Sequence, residues 1–121
     1  FEHLAAVLAG VAEPERFGVC FDTCHVFAAG YDLSTADGYA ATFGEFDRLI
    51  GLKRLKLFHV NDSLKGCGSR VDRHAGLGLG MIGQGCFRRL AADRRFRTTP
   101  MILETPKEAA DGTAMDPVNL G

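Results

Sequence analysis

Asp22, His25, His59, Asp72, His74 and Glu104 are the residues of this chain with the types and spacing to do chemistry together. Three imidazoles and three carboxylates form a mixed nitrogen and oxygen donor set. Such a set suits zinc, or manganese and iron, in a catalytic rather than a structural role. Asp22 and His25 are three residues apart where the chain turns, so they can point at different ions. Asp72 and His74 are two apart, so extended backbone would turn both toward one. Glu104 closes an apolar run, where a carboxylate needs a partner or a metal. The competing reading for His59 alone is a hydrogen-bonded core histidine, and for Asp72-Arg73-His74 a local salt bridge. The common placement of these residues favours a hydrolytic metal site. His3 reads as surface. The four cysteines have no C-x-x-C spacing and read as small buried hydrophobes or surface thiols rather than ligands.

The elements needed to position these donors follow from patterning. Glu2 to Ala12 has Leu4, Val7, Leu8 and Val11 at helical spacing, and Pro14 ends it. Gly18 to Phe21 is a short apolar run typical of a strand buried on both faces, ending at Asp22. A loop follows through Asp32. Ser34 to Asp37 offers helix-start chemistry, and Tyr39, Phe43, Phe46, Leu49 and Ile50 give the next helix one apolar face. Leu55 to Phe58 is a second strand, ending at His59. Ser63 to Gly85 is Gly-rich and reads as a long loop carrying Asp72 and His74. Phe87, Leu90 and Ala91 mark a helix, and Met101 to Leu103 a third strand, ending at Glu104. Asp116 to Leu120 is a further helix start. Strands alternating with helices predict parallel strands joined by right-handed crossovers. Each strand then delivers a donor at its C-terminal end, where (β/α)8 barrels carry their active sites. The expected fold is therefore α/β, a TIM-type barrel. Residues 1–121 would form roughly its last three βα units, a C-terminal fragment of one domain truncated at both ends. An open sheet of flavodoxin-like order is the alternative.

Composition excludes little. Hydrophobic content of 46% and charged content of 24% are ordinary for a globular protein. No apolar run has the length of a membrane span, and no signal peptide is recognisable. With four cysteines and no secretory signal, a reducing, cytoplasmic setting is expected. Net charge is -1 but unevenly spread. Residues 53–97 hold 11 of the 14 Lys and Arg against only Asp62, Asp72 and Asp93. Arg88, Arg89, Arg94, Arg95 and Arg97 read as a solvated helix face. Lys65, Arg70 and Arg73, in the Gly-rich loop beside the donors, are placed to meet a phosphate-rich ligand.

Several long motifs also carry a resemblance. Gly18-Val19-Cys20-Phe21-Asp22-Thr23-Cys24-His25 with Phe27-Ala28-Ala29-Gly30-Tyr31-Asp32 resembles a signature of the endonuclease IV family of apurinic/apyrimidinic endonucleases. So do His59-Val60-Asn61-Asp62-Ser63, Gly68-Ser69-Arg70-Val71-Asp72-Arg73-His74 and Ile102-Leu103-Glu104-Thr105-Pro106, in unbroken order from Phe1 to about Lys107. The resemblance implies a TIM barrel with three zinc ions at its C-terminal face. Asp22, His59 and Glu104 match ligands of the second zinc. His25, Asp72 and His74 match the protein ligands of the third. The first zinc's ligands, and a loop pushed into DNA, lie upstream in that family, so residues 1–121 alone are expected to be inactive. The implied reaction is hydrolysis of the phosphodiester 5′ to an abasic site in double-stranded DNA, within base excision repair. It leaves a 3′-hydroxyl and a 5′-deoxyribose phosphate, and the complete enzyme is expected to be a monomer. Glu104 and Asp22 would serve the attacking side, and Ser69, Arg70 and Arg73 would contact DNA phosphates. The chain departs from the family pattern at Leu64 and over Ala75 to Leu79, outside the six donors.

Two other readings bear on the same residues. A sugar isomerase or epimerase on a related barrel would use Asp22, His59 and Glu104 but leave His25, Asp72 and His74 without a role. A non-catalytic fragment would expose sheet edges and self-associate.

Overall fold

A computed structural model describes residues 1–109 and 111–120. Helix α1 (Glu2–Gly10) leads through a single 3-10 turn to strand β1 (Val19–Asp22). Helix α2 (Thr23–Ala28) follows directly, and α3 (Ala36–Leu49) brings the chain to β2 (Leu55–His59). The short strands β3 (Asp62–Ser63) and β4 (His74–Ala75), helix α4 (Gln84–Ala92), strand β5 (Met101–Ile102) and helix α5 (Asp116–Leu120) complete it. The order β1-β2-β5 is parallel throughout. This is the arrangement that alternating strands and helices predict. In register, Asp22 lies opposite His59, and His59 opposite Ile102. Three chain segments therefore bring donors to one sheet edge.

The core lies between this sheet and helices α3 and α4. Helix α3 is capped by the Thr35 hydroxyl, which accepts from the Gly38 N–H. Its predicted apolar face packs inward. The Phe43 ring stacks on Phe21 at 4.9 Å between centroids, and Phe58 meets Phe21 edge-on at 5.5 Å. Phe21, Phe43, Phe46 and Phe58 are fully buried. Each such side chain contributes on the order of 1.5–3 kcal/mol through removal from water. Tyr39 donates to Asp93, whose carboxylate also takes the Arg95 guanidinium at 2.6 Å, which ties α3 to the segment after α4. Arg95 also lies over the Phe43 and Phe96 rings. So one member of the arginine cluster is structural, and the solvated-face reading holds for exposed Arg88, Arg94 and Arg97.

Two expectations need correction. Thr23 to Ala28 is helical rather than loop, because Asp22 supplies the N-cap: its Oδ1 accepts from the His25 N–H at 2.9 Å. The loop from Ser63 to Gly85 contains a ladder, with Asp62 opposite Ala75 and Ser63 opposite His74. Within residues 1–121 the helices cover one side of the sheet, so Cys20 is exposed between buried Val19 and Phe21, as are Met101 and Ile102 of β5.

Candidate metal centre

All six predicted donors converge at the C-terminal ends of β1, β2 and β5. Asp22 and His59 end their strands, Glu104 stands two residues beyond β5, and His25 lies on α2. Asp72 precedes β4, which begins with His74. They make a continuous chain of contacts. His25 Nδ1 lies 3.3 Å from Asp72 Oδ2, and Asp72 Oδ1 lies 3.3 Å from His74 Nε2. His74 Nε2 lies 3.9 Å from Asp22 Oδ2, which is 3.7 Å from His59 Nδ1. His59 Nδ1 in turn lies 2.8 Å from Glu104 Oε2.

The orientation of His74 shows what the cluster needs. Its Nδ1 lies 3.0 Å from the Glu104 carbonyl oxygen, which can only accept, so Nδ1 carries the proton. In the neutral ring Nε2 then holds a lone pair, and that lone pair faces two carboxylates. Lone pair and carboxylates meet favourably only across a cation or a proton. This backbone-held imidazole is the usual arrangement behind a metal-ligating histidine. Among the described residues no Lys or Arg forms a salt bridge with Asp22, Asp72 or Glu104. Donor atoms of Asp22, His74 and Glu104 all lie within 4.8 Å of one another, and so do those of Cys24, Asp72 and His74. The residues present therefore fit a metal cation. Cys24 is an addition that the cysteine spacing did not reveal. Its buried thiol is pushed up to about 11, chiefly by desolvation, and donates to the Arg73 carbonyl at 3.6 Å.

Sequence reasoning also missed the scaffold behind the donors. Asn61 is fully buried. Its Nδ2 donates to Asp22 Oδ2 at 3.0 Å, and its Oδ1 accepts the Glu104 N–H at 2.9 Å. The Thr23 hydroxyl accepts from the Asn61 N–H and donates to the Asn61 carbonyl. Asp62, also fully buried, accepts from the backbone N–H groups of Ser63, Gly78, Gly80, Ile82 and Gly83. The signal available was an Asn-Asp pair directly after an apolar strand and before a Gly-rich run, which reads as a turn.

Ser69, Arg70 and Arg73 are exposed around the rim. Their loop is clipped to the end of α2: the Gly68 N–H donates to the Phe27 carbonyl, and the Arg70 N–H to the Ala28 carbonyl at 2.9 Å. Arg70 is the single non-glycine with positive φ among the described residues, at 58°. With His25, Ala28, Ala29 and Asp72 it lines a recess of about 220 Å³. A cationic side chain is thereby set beside the donors.

Comparison with known proteins gives the family and the fold. The family profile described as a xylose isomerase-like TIM barrel matches residues 1–118. The chain is 60% identical over 120 residues to a protein of Geobacter sulfurreducens named "Probable endonuclease 4", and 55% identical to one of the same name from Chloroflexus aurantiacus. Each match takes in 99% of this chain, and 40% and 41% respectively of the relative. The crystal structure of endonuclease IV from Thermus thermophilus superposes with a TM-score of 0.80 at 41% identity, over 98% of this chain and 40% of that one. The chain thus spans about two fifths of the length of the relatives it matches. Among the described residues no helix is long and apolar enough to cross a membrane.

Proposed function

We propose that this chain, which belongs to the xylose isomerase-like TIM barrel family, is the C-terminal part, residues 1–121, of a single barrel domain of endonuclease IV type. In that reading the complete protein, not residues 1–121 alone, hydrolyses the phosphodiester 5′ to abasic sites in double-stranded DNA, leaving a 3′-hydroxyl and a 5′-deoxyribose phosphate. The observation that carries the reading is His74. Its Nε2 faces Asp72 and Asp22 without a cationic side chain, within a set of six donors at one sheet edge. The names of the relatives, at 50–60% identity, support the substrate class.

Asp22, His59 and Glu104 would hold one ion, and His25, Asp72 and His74 another, with zinc as the fitting metal and manganese the alternative. When bound, such ions acidify water, screen the phosphate and favour departure of the leaving oxygen. The chain's own residues do the rest. The Glu104 carbonyl holds the proton on His74 Nδ1, which keeps Nε2 free for ligation. Asn61 fixes the Asp22 carboxylate. Ser69, Arg70 and Arg73 would grip DNA phosphates, which positions a duplex without reading its sequence. Asp22 and Glu104 would hold the ion on the attacking side. The complete protein is proposed to work as a monomer in the cytoplasm. A sugar isomerase of the same barrel family would employ Asp22, His59 and Glu104 but leaves the observed His25–Asp72–His74 contacts without a purpose.

The test joins this chain behind the N-terminal part of the Geobacter sulfurreducens relative and assays a duplex with one abasic site. Chelator-sensitive incision on the 5′ side is expected. A folded, metal-loaded hybrid that leaves the duplex intact would discard the nuclease reading.

A further inference from the structure

We propose that Asn61 is a positioning residue of the metal centre, one that fixes Asp22 and Glu104 in relation to each other. This rests on the metal-binding reading above. Every hydrogen-bonding group of Asn61 but one N–H is committed. The Thr23 hydroxyl clamps its backbone, accepting from the N–H at 2.8 Å and donating to the carbonyl at 2.6 Å. The orientation of its amide is not arbitrary. The Glu104 N–H can only donate, so the atom it reaches must be the oxygen, and the amide nitrogen must then face Asp22. That nitrogen meets Oδ2, the same Asp22 oxygen that faces His59 and His74. Oδ1 is already occupied by the His25 N–H.

Asp22 is thus held at both oxygens, and neither bond comes from a charged group. A neutral donor fixes the direction of the carboxylate yet leaves its charge for a cation. The second bond reaches the backbone of Glu104, which follows the end of β5. Asn61 follows the end of β2, so one buried amide spans the three strand ends that carry donors. Without it Asp22 could rotate about its χ2 torsion and Glu104 would lose its tie to β2. Partners of this kind around metal ligands typically change affinity by about 10- to 100-fold when removed.

The experiment measures zinc affinity in the joined barrel by competition with a chromophoric chelator. Parent, Asn61→Ala, Asn61→Asp, Asp22→Ala and Asn61→Ala/Asp22→Ala proteins are compared, each first shown folded by circular dichroism. Parent binding that depends on Asp22 establishes the metal-binding reading by itself; parent protein without zinc affinity would remove that reading, and this inference with it. The proposal expects Asn61→Ala to weaken zinc binding by about 10- to 100-fold. It also expects a clearly smaller loss when the same change is made in Asp22→Ala, because the share that acts through Asp22 is already gone and only the tie to Glu104 remains. Asn61→Asp keeps the acceptor for Glu104 but turns an oxygen toward Asp22, and is expected to fall with Asn61→Ala. It decides the matter if the alanine protein does not fold. Parent-like affinity in folded Asn61→Asp, or fully multiplicative losses in the double variant, would overturn the assignment and leave Asn61 a merely structural residue.

Discussion

Replacing Asp62 by Asn removes one charge and changes the volume hardly at all, yet the structure predicts a large loss of stability. The Asp62 carboxylate is fully buried and takes five backbone N–H groups. Oδ1 serves Ser63 at 2.7 Å and Ile82 at 2.9 Å; Oδ2 serves Gly78 at 3.0 Å and Gly80 at 3.1 Å. An asparagine amide has one oxygen. Whichever way it turns, its NH₂ group confronts two N–H groups that had an acceptor, and its own hydrogens find none. Each stranded buried donor costs about 1–3 kcal/mol, and the surviving bonds weaken from charge-assisted to neutral. Two stranded donors at that cost, allowing for relaxation, give a loss of about 3–5 kcal/mol. Equilibrium denaturation of the joined barrel measures it, and hydrogen exchange locates it. The amides of Gly78, Gly80, Ile82 and Gly83 should exchange faster while those of β2 stay protected. A cost below about 1 kcal/mol with unchanged exchange at Gly78 and Gly80 would show that these amides do not depend on the carboxylate, and the account of this loop would be wrong.

Two further outcomes are expected. Asp72→Ala takes away the carboxylate between His25 and His74, so the joined barrel should retain one metal ion fewer and lose most of its incision, while the metal-free protein melts close to the metal-free parent because Asp72 is exposed; metal content by elemental analysis checks this, and full metal content with near-normal turnover would contradict it. Asp93 has its carboxyl held below the usual range, first by the Arg95 guanidinium and also by the Tyr39 hydroxyl. A depressed folded value stabilises above the unfolded pKa and is lost as pH falls through the folded one. The stability gap between parent and Asp93→Asn should therefore be full at neutral pH and close in acid below about pH 4, as read from denaturation midpoints across pH.

The sequence made the donors legible because strand ends are easy to see. Val19 to Phe21, Leu55 to Phe58 and Met101 with Ile102 are apolar runs, and a polar residue at the end of each marks the edge where function gathers. It hid what holds those donors. Helix α2 has six residues, too short to show a period, and its one signal was the cap spacing of Asp22 and His25. Strands β3 and β4 have two residues each and no alternation to detect. Asn61 and Asp62 acquire their roles from partners far along the chain, 16 positions away for Gly78, 38 for Thr23 and 43 for Glu104, and no local pattern carries that information.

The clip between the 66–73 loop and α2 has a practical meaning for engineering. The last turn of a helix leaves carbonyls without partners, and here Phe27 and Ala28 give theirs to Gly68 and Arg70. His25 is carried by the helix and Asp72 by the loop, so the two travel as one cassette. Transplanting this pair into another barrel would require segments 23–30 and 66–73 together. Inserting a single residue within α2 would turn its final carbonyls about 100° around the helix axis and uncouple the loop even with every donor residue still present.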